Sequence, residues 1–257
     1  MADLTRIAQI MAEAVNGPGR PALPERLCTA CVEALAVEAA SITLMADTGH
    51  RAGVWASDRR ARRMEERQFS LGEGPGVDAF RGRSPVAVAD LLAPDEVRWP
   101  VLVAALAPAD SGHPDPDHPD PDDADADHQG LRSVYASPLH LGSASIGVLS
   151  LYRSAPGVPG AEEAADIQVA ATSVTLAIVG SFMTPSGEGP VQPWLDDPPV
   201  NGVEVDQAVG MVMVQLGVSA GETLDRLRAH AFAHDREIDE VAHEVVLRQL
   251  RFTEEDR

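Results

Sequence analysis

The sequence predicts two folded parts: an α+β domain with an antiparallel sheet and flanking helices, and a C-terminal all-α three-helix bundle. Three observations carry this expectation. Up to residue 183, helical apolar spacing alternates with short period-two runs joined by turn residues. A Pro- and Gly-rich stretch at 184–202, TPSGEGPVQPWLDDPPVNG, then reads as a linker between residues 1–183 and residues 203–257. Beyond it every apolar stripe has helical period.

Taken in order, Leu4, Ile7, Met11 and Ala14 stand at helical spacing, as do Leu23, Leu27, Cys31 and Leu35. Ala40–Met45 reads as a strand, Asp47-Thr48-Gly49 as a turn, and Ala52–Ala56 as the returning strand. Residues 58–68, DRRARRMEERQ, suit a charged surface helix, Phe69–Gly76 a Gly-rich loop and Val77–Gly82 a short helix. Pro85–Leu91 reads as a strand and Trp99–Ala107 as a helix. Residues 109–130 alternate Asp-Pro and His-Pro without Leu, Ile, Val or an aromatic residue, so they predict a disordered acidic insert. A hairpin of Arg132–Leu141 and Ser145–Arg153 follows, turning at Gly142-Ser143. Ala161–Met183 closes the domain as a long helix, with Ile167, Ala170, Ala171, Val174, Ile178 and Phe182 on one face.

In the C-terminal part, Val205, Ala208, Val209, Val212, Met213 and Leu216 form a stripe that ends at Gly217. Ser219 and Glu222 make a capping box for a second helix with Leu224, Leu227 and Ala231, and Phe232 adjacent. After a break near His234–Arg236, Ile238, Val241, Ala242, Val245 and Val246 mark a third.

Composition narrows the function classes. The chain has 257 residues, 44% of them hydrophobic, enough for a real core. Its longest unbroken apolar runs, near Pro100–Pro108 and Val174–Gly180, fall short of the ~20 residues of a membrane span. The N-terminal MADLTRIAQIMAEAV lacks the form of a secretory signal. Two cysteines cannot build a disulfide scaffold, which points to a reducing cytoplasm. There are 40 acids and 20 bases, net −20, and every one of those bases is Arg, a usage that points to a high-GC bacterial genome. Residues 109–130 hold 8 acids and no base, and residues 203–257 hold 12 acids and 6 bases. This charge argues against coating of nucleic acid and against anionic membranes.

The candidate chemistry is sparse. Cys28 and Cys31 form a CxxC that could be redox-active or half of a zinc site, but Cys31 sits on an apolar helical stripe and no second pair exists. Small core residues are the favoured reading. His230 and His234 have i, i+4 ligand spacing without the Glu of a zincin, so a solvated face is favoured. His113, His118 and His128 lie in the acidic insert, where a solvated spacer is the better reading than a metal site. Arg59, Arg60, Arg62, Arg63 and Arg67 form the strongest basic cluster, which a charged outer helix face explains. Gly72-Glu73-Gly74-Pro75-Gly76 lacks the Lys-Ser/Thr of a phosphate loop. No catalytic set stands out, and no enzyme activity or cofactor is expected.

The stretches FSLGEGPGVDAFRGRSPVAVADL (69–91) and ASPLHLGSASIGVLSLYRS (136–154) resemble a GAF sensory domain of the actinobacterial type, over roughly residues 3–183. The resemblance implies a small-molecule pocket over the sheet, with Gly72, Gly74 and Gly76 on its rim. One GAF branch reduces methionine sulfoxide with pocket cysteines. Here both cysteines precede the first strand, which argues against that activity.

Residues 203–257 resemble an ANTAR domain, an RNA-binding antiterminator module. The match runs from Ala208 and Gly210 through Met213, Leu216-Gly217-Val218-Ser219 and Leu227-Arg228 to Ala231, Arg236 and Val241-Ala242. The resemblance implies binding of structured RNA hairpins, with Arg228 and Arg236 as contacts because Arg pairs with phosphate and stacks on unpaired bases. Ala208 and Gly210 would permit close approach. Val209 stands where the family usually has Lys, and Glu237 where it usually has a base. Both remove charge from an RNA surface.

The expected function is therefore a cytoplasmic signalling regulator, a homodimer paired through its first helix and its 161–183 helix. It would sense an unknown small molecule and oppose transcription termination. The alternative is a protein-interaction or dimerisation regulator whose ANTAR-like bundle has lost RNA binding.

Overall fold

The computed structural model describes residues 4–17, 21–46, 51–106, 130–183, 203–234 and 236–253. The expected insert at 109–130, apart from Gly130, and the expected linker at 184–202 lie outside them, as do His113, His118 and His128.

Two helices open the chain, α1 (Leu4–Asn16) and α2 (Leu23–Ala34). The hairpin β1 (Ala39–Met45) and β2 (Arg51–Ala56) leads into α3 (Arg59–Leu71) and α4 (Pro75–Gly82). Next come β3 (Val86–Val88) and α5 (Pro100–Leu106), then β4 (Ser133–Leu141), β5 (Ala144–Arg153) and α6 (Ala161–Met183). The strands form one antiparallel sheet in the order β2-β1-β5-β4-β3. The C-terminal part is α7 (Val203–Leu216), α8 (Ala220–Ala233) and α9 (Ile238–Val246). The expected α+β domain and three-helix bundle are both present.

Strand alternation sends side chains to two opposed layers. Ile42, Leu44, Leu139, Leu149 and Leu151 face α1, α2 and α6, where they pack with Ile7, Met11, Leu27, Ile167, Val174 and Ile178. Ala39, Val134, Ala136, Val148 and Tyr152 face α3, α4 and α5, with Met64, Ala79, Phe80, Trp99 and Leu102. A third cluster joins Val205, Val212, Leu227, Ile238, Val241 and Val245 of the bundle, and Phe69 of α3 belongs to it.

Several expectations need correction. Helix α3 is not a surface helix: Ala61, Met64, Glu65, Gln68 and Phe69 are buried, a helical stripe that the charged positions between them obscure. It begins with the Asp58 carboxylate accepting from the Ala61 N–H at 2.9 Å. It continues through the expected loop to Leu71, because Phe69 is needed under the bundle and the first residue able to end the helix is Gly72, at φ 69°. The Pro85–Leu91 strand contracts to three paired residues. Phe182, expected on the buried face of α6, is 49% exposed, and Phe232 of α8 is 67% exposed. Ala161–Phe182 is long and apolar enough to cross a membrane by length and composition, although no unbroken apolar run within it has that length. In this fold Ile167, Ala170, Ala171, Val174 and Ile178 are committed to the core.

Candidate functional site

On the α3/α4 side of the sheet lies a cavity of about 170 Å³. Thr43, Met45, Arg51 and Val148 come from the strands. Glu65, Gln68 and Phe69 come from α3, and Gly76, Val77, Phe80 and Arg81 from α4. The fourth wall belongs to the bundle: Gly221, Leu224, Asp225 and Arg228 of α8 close it. The placement follows from local sequence. Gly72 ends α3, and Pro75 at the first turn of α4 restarts a helix within three residues, so both helices present their faces to one space.

The floor is a buried polar network. Glu65 is 4% exposed and its carboxylate accepts from Ser41 Oγ at 2.8 Å, from Thr43 Oγ1 at 3.1 Å and from the Tyr152 hydroxyl. Burial, and then the Glu65 charge, push the Tyr152 phenol well above its ordinary pKa, so it stays a donor. Sequence reading missed this network, because Glu65 sits in a run of charged residues and its partners are on strands far along the chain.

Of the three expected rim glycines, Gly76 lines the cavity and Gly72 and Gly74 do not, and the segment is tied down. The Gly76 N–H donates to Gln68 Oε1 at 2.8 Å. A Cβ at Gly74, where φ is 141°, would stand 2.4 Å from the same oxygen. A Cβ at Gly72 would stand 3.1 Å from Arg228 Nη1. The Glu73 carboxylate accepts from the Leu102 N–H at 2.7 Å and so caps α5.

Each candidate RNA residue has its own surroundings. Arg228 turns toward the first domain: its Nε donates to the Phe69 carbonyl oxygen at 2.9 Å, and its guanidinium lies 5.1 Å from the Phe69 ring centre. Burial brings its pKa down to about 10, with Asp225 opposing and Arg81 and Arg51 reinforcing the fall, so it remains charged at neutral pH. Arg226 is two positions from Arg228 and therefore on another face of α8. Arg236 is held within its own domain, with Nε 3.3 Å from Glu240 and Nη1 2.9 Å from Glu244. Ala208 is fully buried in the bundle core, where its small side chain lets the helices close. Gly210 is exposed, and a Cβ there would meet nothing within 4 Å. Val209 is 8% exposed and part of the bundle core, while Glu237 is an exposed residue preceding α9.

Cys28 and Cys31 are buried in α2, on the far side of the sheet from the cavity. Burial raises both thiols, Cys31 to about 12, so neither is a ready nucleophile. His230 and His234 stack at 4.2 Å, and no metal-binding group of His, Cys, Asp or Glu occurs among the described residues.

Comparison with known proteins adds the following. Residues 202–246 match the ANTAR domain family. No curated protein matches the chain. The first domain is similar to the solved GAF domain of a phosphoenolpyruvate-protein phosphotransferase from Coxiella burnetii, at 17% identity over 70% of this chain and 96% of that one, with a TM-score of 0.45. The corresponding Acinetobacter domain gives 11% identity over 70% and 96%, with a TM-score of 0.47. A free methionine-R-sulfoxide reductase from Neisseria meningitidis gives 13% identity over 68% and 86%, with a TM-score of 0.42. The C-terminal match supports a signalling regulator. The chain thus has, behind an α+β domain with a five-stranded antiparallel sheet, a C-terminal segment at residues 202–246 that matches the ANTAR domain family.

Proposed function

We propose that the chain is a cytoplasmic, ligand-responsive regulator whose ANTAR domain binds structured RNA hairpins and opposes transcription termination. The first domain acts as the sensor and no chemistry is performed. The observation that carries this reading is the shared cavity: one wall is the sheet domain, and another is the ANTAR helix α8. A molecule in that space touches both parts, which is the physical requirement for coupling between sites. The exposed Leu4 and Val15 of α1 and Leu176 and Phe182 of α6 are the apolar positions through which two copies would pair. Arg236 and Arg228 serve as RNA contacts once they exchange their present partners for phosphate, and Gly210 permits close approach.

A gel shift of the full chain against tandem hexaloop-type hairpins tests the reading. Binding that weakens in Arg236→Ala supports it. A specific observation favours the second reading, a protein-interaction regulator. Both candidate arginines are engaged within the protein, and Val209 adds to the core where the family's Lys would stand. Absence of hairpin binding by the full chain would favour that second reading.

A further inference from the structure

At the edge of the cavity two arginines, Arg81 and Arg228, stand beside one carboxylate, Asp225. Arg51, Arg81 and Arg228 line the cavity, against Glu65 and Asp225. Both Glu65 oxygens are taken by the hydroxyls of Ser41, Thr43 and Tyr152. Asp225 stands 3.4 Å from Arg228 Nη1, with a side chain 73% exposed at the outer edge. The arginines converge. Arg81 Nη1 donates to the Gly72 carbonyl at 3.5 Å, while Arg228 packs 3.1 Å from the position of a Cβ on the same glycine. Arg51 lies 4.0 Å from the centre of the Phe69 ring that Arg228 also approaches. Arg51 already has counter-charges in Asp239, Glu66, Glu65 and Asp206, which leaves Arg81 and Arg228 as the pair for an incoming anion. The mutual repulsion of Arg228, Arg81 and Arg51 runs the same way.

We propose that this cavity is a site for a small organic carboxylate, shared by the two domains. Its carboxylate sits between Arg81 and Arg228, and its carbon body lies against Val77, Phe80 and Val148. The inference rests on the sensory reading above and adds a ligand class and a direction. At about 170 Å³ the cavity is smaller than the ~300–1,000 Å³ of drug-sized sites, which suits a compact acid. Guanidinium groups take carboxylates in a bidentate fork, and partial burial strengthens that pairing. The bound acid bridges α4 to α8, so it holds the ANTAR domain docked and keeps Arg228 from RNA. Ligand and RNA then oppose each other, and by linkage each weakens the other by the same factor.

The test uses the full chain, with benzoate and phenylacetate as probes and benzamide and phenylacetamide as neutral controls. Calorimetry and thermal melting are read in parallel. The carboxylates are expected to bind and raise Tm by about 2–4 °C at roughly ten times their Kd, while the amides do not. Arg81→Gln, an exposed position on α4, should abolish the shift and leave the unliganded Tm in place. Equal stabilisation by the amides, no binding of either acid, or an unchanged response in Arg81→Gln would each overturn the site. Hairpin affinity is then measured with and without benzoate. A several-fold loss supports the opposition, and unchanged affinity overturns it. A chain that binds no hairpin at all refutes the functional reading, while the site itself is judged by calorimetry.

Discussion

Arg228 Nε donates to the main-chain carbonyl of Phe69 at 2.9 Å, joining two residues 159 positions apart in the sequence. Phe69 in turn is 6% exposed and belongs to the apolar core of the bundle rather than to that of its own domain. Each domain therefore supplies a group that the other completes. The interface is a guanidinium on a helix C-terminus, where the Phe69 carbonyl also accepts from the Gly72 N–H at 3.2 Å and the end of α3 favours a cation.

Arg228→Ala should accordingly weaken docking. It leaves the Phe69 carbonyl without this donor and uncovers the ring. Hydrogen bonds to charged groups contribute about 1.5–3 kcal/mol, and the loss should fall within that range. Urea unfolding followed by circular dichroism checks it. The wild-type midpoint should drop, and the two domains should begin to unfold separately. An unchanged single transition would show that the contact adds nothing.

Glu65→Ala should cost more than a surface change. The substitution strands the hydroxyls of Ser41, Thr43 and Tyr152, all turned toward one buried carboxylate. With ~1–3 kcal/mol for each buried polar group left without a partner, a loss of about 3 kcal/mol or more is expected. Glu65→Gln keeps an acceptor oxygen and should lose less. Thermal melts of the two variants give the comparison, and equal melting temperatures would contradict the network.

The limits of reading this chain from sequence are visible in these residues. The hairpins, α6 and the Ser219 capping box were legible because each is a local pattern: alternation, helical period, or a cap and its partner three residues apart. The folded Ser219 caps α8 as read, accepting from the Glu222 N–H at 3.3 Å. Glu65 and Phe69 were not legible. One looks like a solvent-facing charge among Arg59–Arg67, and the other like the start of a loop. Their roles depend on strands and a second domain that meet them only in three dimensions. Arg228 was found as a candidate through resemblance, yet the group it now holds could not be read from its neighbours.

Alkaline pH should destabilise the fold. Burial raises the thiol of Cys31 from an ordinary 9.0 to about 12, and raises Cys28 and Tyr152 as well. A raised folded-state pKa contributes stability that is fully present below the unfolded value and is lost as pH climbs through the folded one. From about pH 9 toward 12 the unfolded chain releases protons that the folded chain keeps, so stability falls by up to ~1.4 kcal/mol per pH unit for each such group. Urea midpoints at pH 7.5, 9 and 10.5 should be flat over the first interval and fall over the second. Cys31→Ala should make that fall shallower, at the cost of a lower midpoint throughout.

Val209→Lys separates the two functional readings. The position is 8% exposed and packs in the bundle core, so the lost valine contacts should cost about 1–2 kcal/mol. That cost shrinks if the lysine stem lies along the apolar surface and its ammonium reaches water. If RNA is the partner, the new charge adds one phosphate contact. Hairpin affinity should then rise at low salt, and the slope of log affinity against log salt should steepen by about 0.7–0.9 from its shallow starting value. Both effects are readable in one set of variants, by melting curves and by gel shifts at several salt concentrations. A variant that melts lower and shows the same weak or absent hairpin binding would mean that Val209 serves only the core. The bundle would then be an interaction module.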